Sequence, residues 1–191
     1  MADEHHRELQ REAIEREAEA FRALLDGDDV RARDELRAAS DRYRASWDVA
    51  PPDAYGRLVG MVKAAVLAGE ATTAATFVHS AIGDSPSSPT AAYALAIAAL
   101  VAGDDGRAAR ATEAMRAGGD AFGRAADAIA AIAAGDAAAY KRAVEAIVAD
   151  FASRESHLTG VAIADTALML ERLAAPRGMA ARIASPLLPA R

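Results

Sequence analysis

Cysteine is absent from the sequence, and so are long apolar runs. The first absence excludes disulfides, thiolate nucleophiles, iron–sulfur clusters and thiolate zinc sites. The longest uninterrupted apolar run is Ala91–Ala102, with 12 residues, whereas a membrane-spanning helix needs about 20. Residues 1–8 are mostly charged and lack the apolar segment of a secretory signal. We therefore expect a cytoplasmic protein with no membrane partner.

Aromatic residues and lysines are scarce, and the chain is acidic. Aromatic residues make up 5% of the chain, two of the 22 basic residues are lysine, and the net charge is −6. Because nucleic-acid binding needs a basic face, often with aromatic side chains for stacking, no nucleic-acid partner is expected. The phosphate-binding motifs Gly-x-x-x-x-Gly-Lys-Ser/Thr and Gly-x-Gly-x-x-Gly are also missing. We expect no cofactor.

Alanine, in contrast, is abundant, with 54 of the 191 residues. Alanine is the strongest helix former and is depleted in strands. At 52% hydrophobic and 26% charged, the chain has the apolar majority that a disordered chain lacks. The composition therefore predicts an all-α fold, which we interpret as one domain over residues 1–191.

A repeat organises the middle of the chain. Four glycines, spaced by 42, 34 and 32 residues, each follow an apolar stretch and directly precede an acid. Glycine suits the left-handed end of one helix, and the acid can cap the next. These pairs predict short turns between antiparallel helices. They are Gly27-Asp28, Gly69-Glu70, Gly103-Asp104 and Gly135-Asp136.

Five residues after the glycine, three of the four second helices carry a small residue: Ala32, Ala74 and Ala108, with Tyr140 in the fourth. This turn and second helix resemble those of tetratricopeptide repeats, whose period is about 34 residues. The resemblance implies a TPR-like short α-solenoid. It also implies a partner, another protein or a peptide, bound in the groove formed by the first helices.

The periodicity predicts about nine helices in antiparallel hairpins, followed by an extended tail. Residues 1–48 form an acidic, arginine-rich hairpin, residues 53–154 the TPR-like hairpins, and residues 155–191 a capping helix and the tail. Asp53 is expected to cap the third helix, and the ninth helix is expected to start near residue 161. The tail should lie in the last apolar groove, since repeat arrays need capped ends.

Protein binding draws on large aromatic and arginine side chains, which dominate binding hot spots. A single tryptophan at the end of a helix also fits a core plug, and we favour that reading for Trp47. The first helix pairs opposite charges along a thin apolar stripe, which fits an exposed helix or the seam of a homodimer. The candidate protein-binding residues are Arg42, Tyr43, Arg44, Trp47, Tyr55 and Tyr93.

Histidines offer little for catalysis or metal binding. Asp3 and His6 have the i, i+3 spacing of di-iron bundles, but no second such pair exists. We therefore expect a solvated N-terminus and no metal. His157 and Asp165 flank the start of the ninth helix, and a small-ligand or enzymatic site there would require a closed polar pocket. No nucleophile elbow accompanies them, so the expectation is a protein that is not an enzyme.

The C-terminal segment carries a second resemblance. Residues 163–174, Arg177-Gly178-Met179 and residues 185–189 are similar to the end of actinobacterial all-α immunity proteins of the immunity-49-like group. These also finish with an apolar helix, an Arg-Gly turn and a Leu-Pro tail. The resemblance implies an alternative function, in which the protein blocks a toxin.

Overall fold

The structure, a computed structural model, describes the backbone of residues 2–190 and the side chains of residues 4–190. The described residues form nine α-helices and no strand, which confirms the all-α prediction. Two short 3-10 turns follow α6 and α9. The helices are α1 (Ala2–Leu25), α2 (Asp29–Asp48), α3 (Gly56–Ala68), α4 (Ala71–Ile82), α5 (Pro89–Ala102), α6 (Asp105–Met115), α7 (Asp120–Ala134), α8 (Ala137–Ala152) and α9 (Asp165–Ala174).

The Gly-acid pairs form the predicted turns. Each of the four glycines is left-handed, with φ between 70° and 81°. Asp28, Asp104 and Asp136 each accept a hydrogen bond from the backbone N–H three residues later, at 2.9–3.1 Å. Glu70 makes no such cap, because its carboxylate is bonded to Arg37 of α2 at 2.9 Å.

The first helices of the hairpins form the centre of the fold. Helix α5 packs against α3, α4, α6 and α7, and every residue from Ala91 to Leu100 is buried. Small residues allow this close packing. The ring of Tyr43 on α2 lies so near Gly60 of α3 that an added Cβ would approach it to 2.6 Å.

Helix α9 and the tail cover a face of this first-helix row. Helix α9 packs against α3, α7 and α8. The tail is not extended throughout, because Arg182 is left-handed and residues 185–188 form a turn. It returns along α9, where Ala164 N–H donates to the carbonyl of Leu187 at 2.9 Å and Leu188 is buried. A partner in the predicted first-helix groove would therefore meet the chain's own C-terminal segment on that face.

Two predicted helix starts are wrong. Asp53 has a left-handed φ of 65° and caps nothing, and α3 begins only at Gly56 after the Pro51-Pro52 break. Helix α9 begins at Asp165 rather than near residue 161, because Val161–Ala164 are irregular and pair with the tail. The local pattern gave the helical content, and distant contacts moved the ends.

Candidate ligand-binding site

Charged side chains from three distant helices meet inside the molecule. The Lys63 ammonium on α3 lies 2.5 Å from the Asp165 carboxylate at the start of α9, and these side chains are only 12% and 21% exposed. Thr166 Oγ1 lies 3.4 Å from the same ammonium. Burial lowers the pKa of Lys63, but the electrostatic effects of Asp165, Tyr93 and Glu17 together outweigh burial, and the pKa of Lys63 is raised. Lys63 therefore stays protonated.

Glu17 of α1 completes the cluster. Its side chain is 5% exposed, and the Tyr43 hydroxyl donates to Glu17 Oε2 at 2.7 Å. Burial raises the pKa of Glu17 to about 7, against the opposing effects of the Tyr43 hydrogen bond and the Lys63 charge. Glu17 is therefore divided between its neutral and ionised forms near neutral pH. We call Glu17, Tyr43, Lys63, Asp165 and Thr166 the polar cluster.

All members of the polar cluster except Tyr43 line a cavity of about 200 Å³, which we call the junction cavity. It lies beneath residues 153–164, the connection between α8 and α9. Leu158 in its wall is 78% exposed, so the cavity reaches the surface. The His157 ring stacks on Phe151 with ring centroids 6.1 Å apart, and its buried Nδ1 has no hydrogen-bond partner. The wall is formed by Glu17, Phe21, Lys63, Phe151, Arg154, His157, Leu158, Thr159, Val161, Ile163, Asp165 and Thr166.

A second, more apolar cavity of about 110 Å³ adjoins the first, and we call it the aromatic cavity. The two cavities share Phe151, Arg154 and Thr166 as wall residues. The Tyr93 ring meets Phe122 edge to face at 5.9 Å, and the buried Tyr93 hydroxyl faces Thr166. Buried polar atoms are rarely left unpaired, so the unpaired His157 Nδ1 of the junction cavity is suited to a ligand.

One carboxylate holds two arginines at the shared wall. Asp150 of α8 accepts from Arg124 at 2.5 Å and from Arg154 at 2.6 Å. The Arg154 guanidinium also lies 3.7 Å from the centroid of the Phe151 ring. Arg154 is therefore held at the border of the two cavities by a charge pair and by a cation–π contact.

His157 and Asp165, predicted as a polar site, do line one cavity. Three further charged residues of its wall escaped prediction, although the sequence holds a signal for two of them. Lys63 is one of only two lysines and interrupts an apolar helix. Glu17 lies four residues from both Ala13 and Phe21, within the apolar stripe of α1. Arg154 carries no such signal, since it lies just beyond the end of α8 among other polar residues.

The candidate protein-binding residues separate into interior and surface groups. Tyr43 and Tyr93 are only 3% and 9% exposed, so their prediction as binding surface needs correction. Tyr43 is drawn inward by its hydrogen bond to Glu17, and Tyr93 is covered by Phe122. Trp47 is half-buried on the core beneath Tyr55, with ring centroids 5.6 Å apart.

The two arginines of that set lie at the surface. Arg42 pairs with Glu12 of α1 at 3.1 Å. Arg44 lies over the ring of Phe77, 3.3 Å from its centroid. This contact forms part of an open groove of about 360 Å³ between α2, α3 and α4, which we call the α2–α4 groove.

The predicted N-terminal features need one correction. His6 is buried rather than solvated, and its Nδ1 lies 2.7 Å from the Arg57 guanidinium. The Asp3 side chain lies outside the described residues, so the Asp3/His6 pair stays a prediction. Among the described residues, no three histidine or carboxylate side chains are placed to hold a metal ion. None of the described helices combines the length and apolarity needed to cross a membrane.

The fold defines an all-α protein. No protein-family model matches the chain, and neither curated proteins nor solved structures show significant similarity to it. The resemblances to tetratricopeptide repeats and to immunity proteins therefore stay predictions.

Proposed function

We propose that this protein binds a small polar ligand in the junction cavity. The observation that carries the proposal is that Glu17 is buried and the Lys63 and Asp165 side chains are only 12% and 21% exposed, yet all three face a cavity rather than a packed core. Burying charges costs free energy that well-packed apolar side chains would not. Buried ionisable groups with a shifted pKa beside a cleft are typical of functional sites.

Binding is a better reading than catalysis for this cavity. A lysine that acts as a base or nucleophile needs a lowered pKa, whereas that of Lys63 is raised by Asp165. The ammonium is therefore a permanent cation held in place by a carboxylate. Such a group can anchor an anionic ligand by its charge.

Blocking the cavity mouth should abolish binding. We expect Thr159→Trp, which places an indole in the cavity wall, to remove ligand signals in saturation-transfer NMR with a panel of small carboxylates, amines and neutral compounds. The matched control is Thr73→Trp in the α2–α4 groove, which should bind like the wild type. The proposal fails if no compound binds the wild type, or if both variants bind equally well.

The α2–α4 groove supports a second candidate function, the binding of a peptide from another protein. Its floor contains Met61 and Ala65, and the Arg44–Phe77 stack forms one side. Arginine over an aromatic ring is typical of binding hot spots. This groove lies away from the face that α9 covers. In the immunity-protein hypothesis, the partner would be a toxin.

The same two variants test this second function with their roles exchanged. A partner captured by the wild type and by Thr159→Trp should be lost with Thr73→Trp, because the new indole fills the groove. Affinity capture followed by mass spectrometry measures this. A partner retained by Thr73→Trp would place protein binding on another surface.

A further inference from the structure

We infer that the ligand of the junction cavity is a small monocarboxylate, with its carboxylate beside Lys63 and its apolar part against Phe151. The inference rests on the proposed function and names the ligand class. Three independent features of the two cavities support it: their charge balance, their hydrogen-bonding groups and the size of their apolar walls.

When Glu17 is neutral, the walls of the two cavities carry one more cation than carboxylates. Three cations, Lys63, Arg124 and Arg154, line the cavity walls together with two carboxylates, Asp150 and Asp165. Glu17 is the remaining acid, and in its neutral form the walls carry one net positive charge. A ligand with one negative charge then balances the walls, and the attraction is strongest at Lys63, whose side chain is the most buried of the three cations.

Groups that can hydrogen-bond a carboxylate lie at the walls of both cavities. The Lys63 ammonium has three N–H groups, of which Asp165 and Thr166 engage two. The Tyr93 hydroxyl interacts with Thr166 and with the Lys63 charge, and the buried His157 Nδ1 has no hydrogen-bond partner. Tyr93 is nine-tenths buried and lies in the wall of the adjoining aromatic cavity. A carboxylate accepts several hydrogen bonds and suits such a set.

The apolar walls limit the rest of the ligand. Phe21, Phe151, Val161 and Ile163 form the apolar part of the junction cavity, whose volume is about 200 Å³. An apolar cavity of about 150 Å³ holds benzene. The junction cavity therefore has room for a ring or a branched aliphatic group with one carboxylate, which makes benzoate a suitable probe.

Glu17 should couple this binding to pH. An anion beside Glu17 favours its neutral form, so binding takes up a proton and is tightest below the pKa of about 7. Affinity should fall about tenfold from pH 6 to pH 8 if binding requires the neutral form. Other charged or titratable groups also face Glu17 or share its cavity, and they are Tyr43, Lys63, Asp165, Arg154 and His157.

The experiment is a calorimetric titration of the full chain with benzoate, benzyl alcohol and benzylamine, which differ in charge but little in shape. We expect benzoate to bind at least about tenfold more tightly than the other two. The affinity of the wild type should be higher at pH 6 than at pH 8. Glu17→Gln, which stays neutral at both, should bind with no such dependence.

The possible results test the ligand class, the proposed function and the role of Glu17 separately. If benzyl alcohol or benzylamine binds as tightly as benzoate, the carboxylate assignment is overturned while ligand binding stands. If none of the panel of carboxylates, amines and neutral compounds binds, both the carboxylate assignment and the proposed function are overturned. A pH dependence that survives in Glu17→Gln overturns the role of Glu17 alone.

Discussion

Lys63→Met is expected to lower the free energy of unfolding by about 3 kcal/mol, because it leaves the mostly buried Asp165 carboxylate without its charged partner. The separation of 2.5 Å and the low exposure of both side chains make this an interior ion pair. Methionine matches the length of the lysine stem, so lost packing contributes little. Urea denaturation monitored by circular dichroism measures the change.

The chain contains its own control, since its only other lysine forms a surface pair. Lys141 lies 4.0 Å from Glu145, and both side chains are at least half exposed. Lys141→Met should therefore change stability by less than about 0.5 kcal/mol. The double variant Lys63→Met/Asp165→Leu, which removes both charges, should recover most of the loss. Equal effects of the two single lysine variants would show that the buried pair contributes no more than a surface one.

The turns were predictable because their chemistry is local. In Gly103-Asp104, for example, the left-handed residue and the N-cap are neighbours, and both act on the nearest turn of helix. The all-α fold follows in the same way from alanine, whose helix propensity needs no tertiary contact. Where the prediction of a helix start was wrong, as for α9, a distant segment had replaced the local pattern.

The candidate site was only half predictable, for the opposite reason. Lys63 and Asp165 are 102 residues apart in sequence, and no spacing rule joins them. The sequence does mark Lys63 and Glu17 as charges on apolar helix faces, and such charges need a buried partner. It does not say which partner, since that depends on α9 packing across α3 and α7.

Glu171→Ala is expected to release the C-terminal tail and to lower the free energy of unfolding by about 3 kcal/mol. Glu171 on α9 is buried and accepts three hydrogen bonds: from the Tyr140 hydroxyl at 2.8 Å, from Ala181 N–H at 2.8 Å and from Arg182 N–H at 3.1 Å. Hydrogen bonds to a charged group contribute about 1.5–3 kcal/mol each, and buried donors left unpaired add a penalty. At the partly exposed tail, water replaces some of the lost hydrogen bonds. The net loss is therefore smaller than the sum of the three bonds.

Trypsin provides a local measure of this release, because Arg182 is itself part of the tethered segment. Arg182 is exposed but held in a left-handed conformation with φ of 53°, and a protease requires an extended, mobile chain at its cleavage site. We expect Glu171→Ala to be cleaved at Arg182 much faster than the wild type, and Glu171→Gln, which keeps one acceptor oxygen, to be intermediate. Glu145→Ala on the exposed face of α8 is the control and should be cleaved at the wild-type rate. Unchanged cleavage in Glu171→Ala would mean that the tail is held by its apolar contacts, Leu188 foremost, and not by the buried carboxylate.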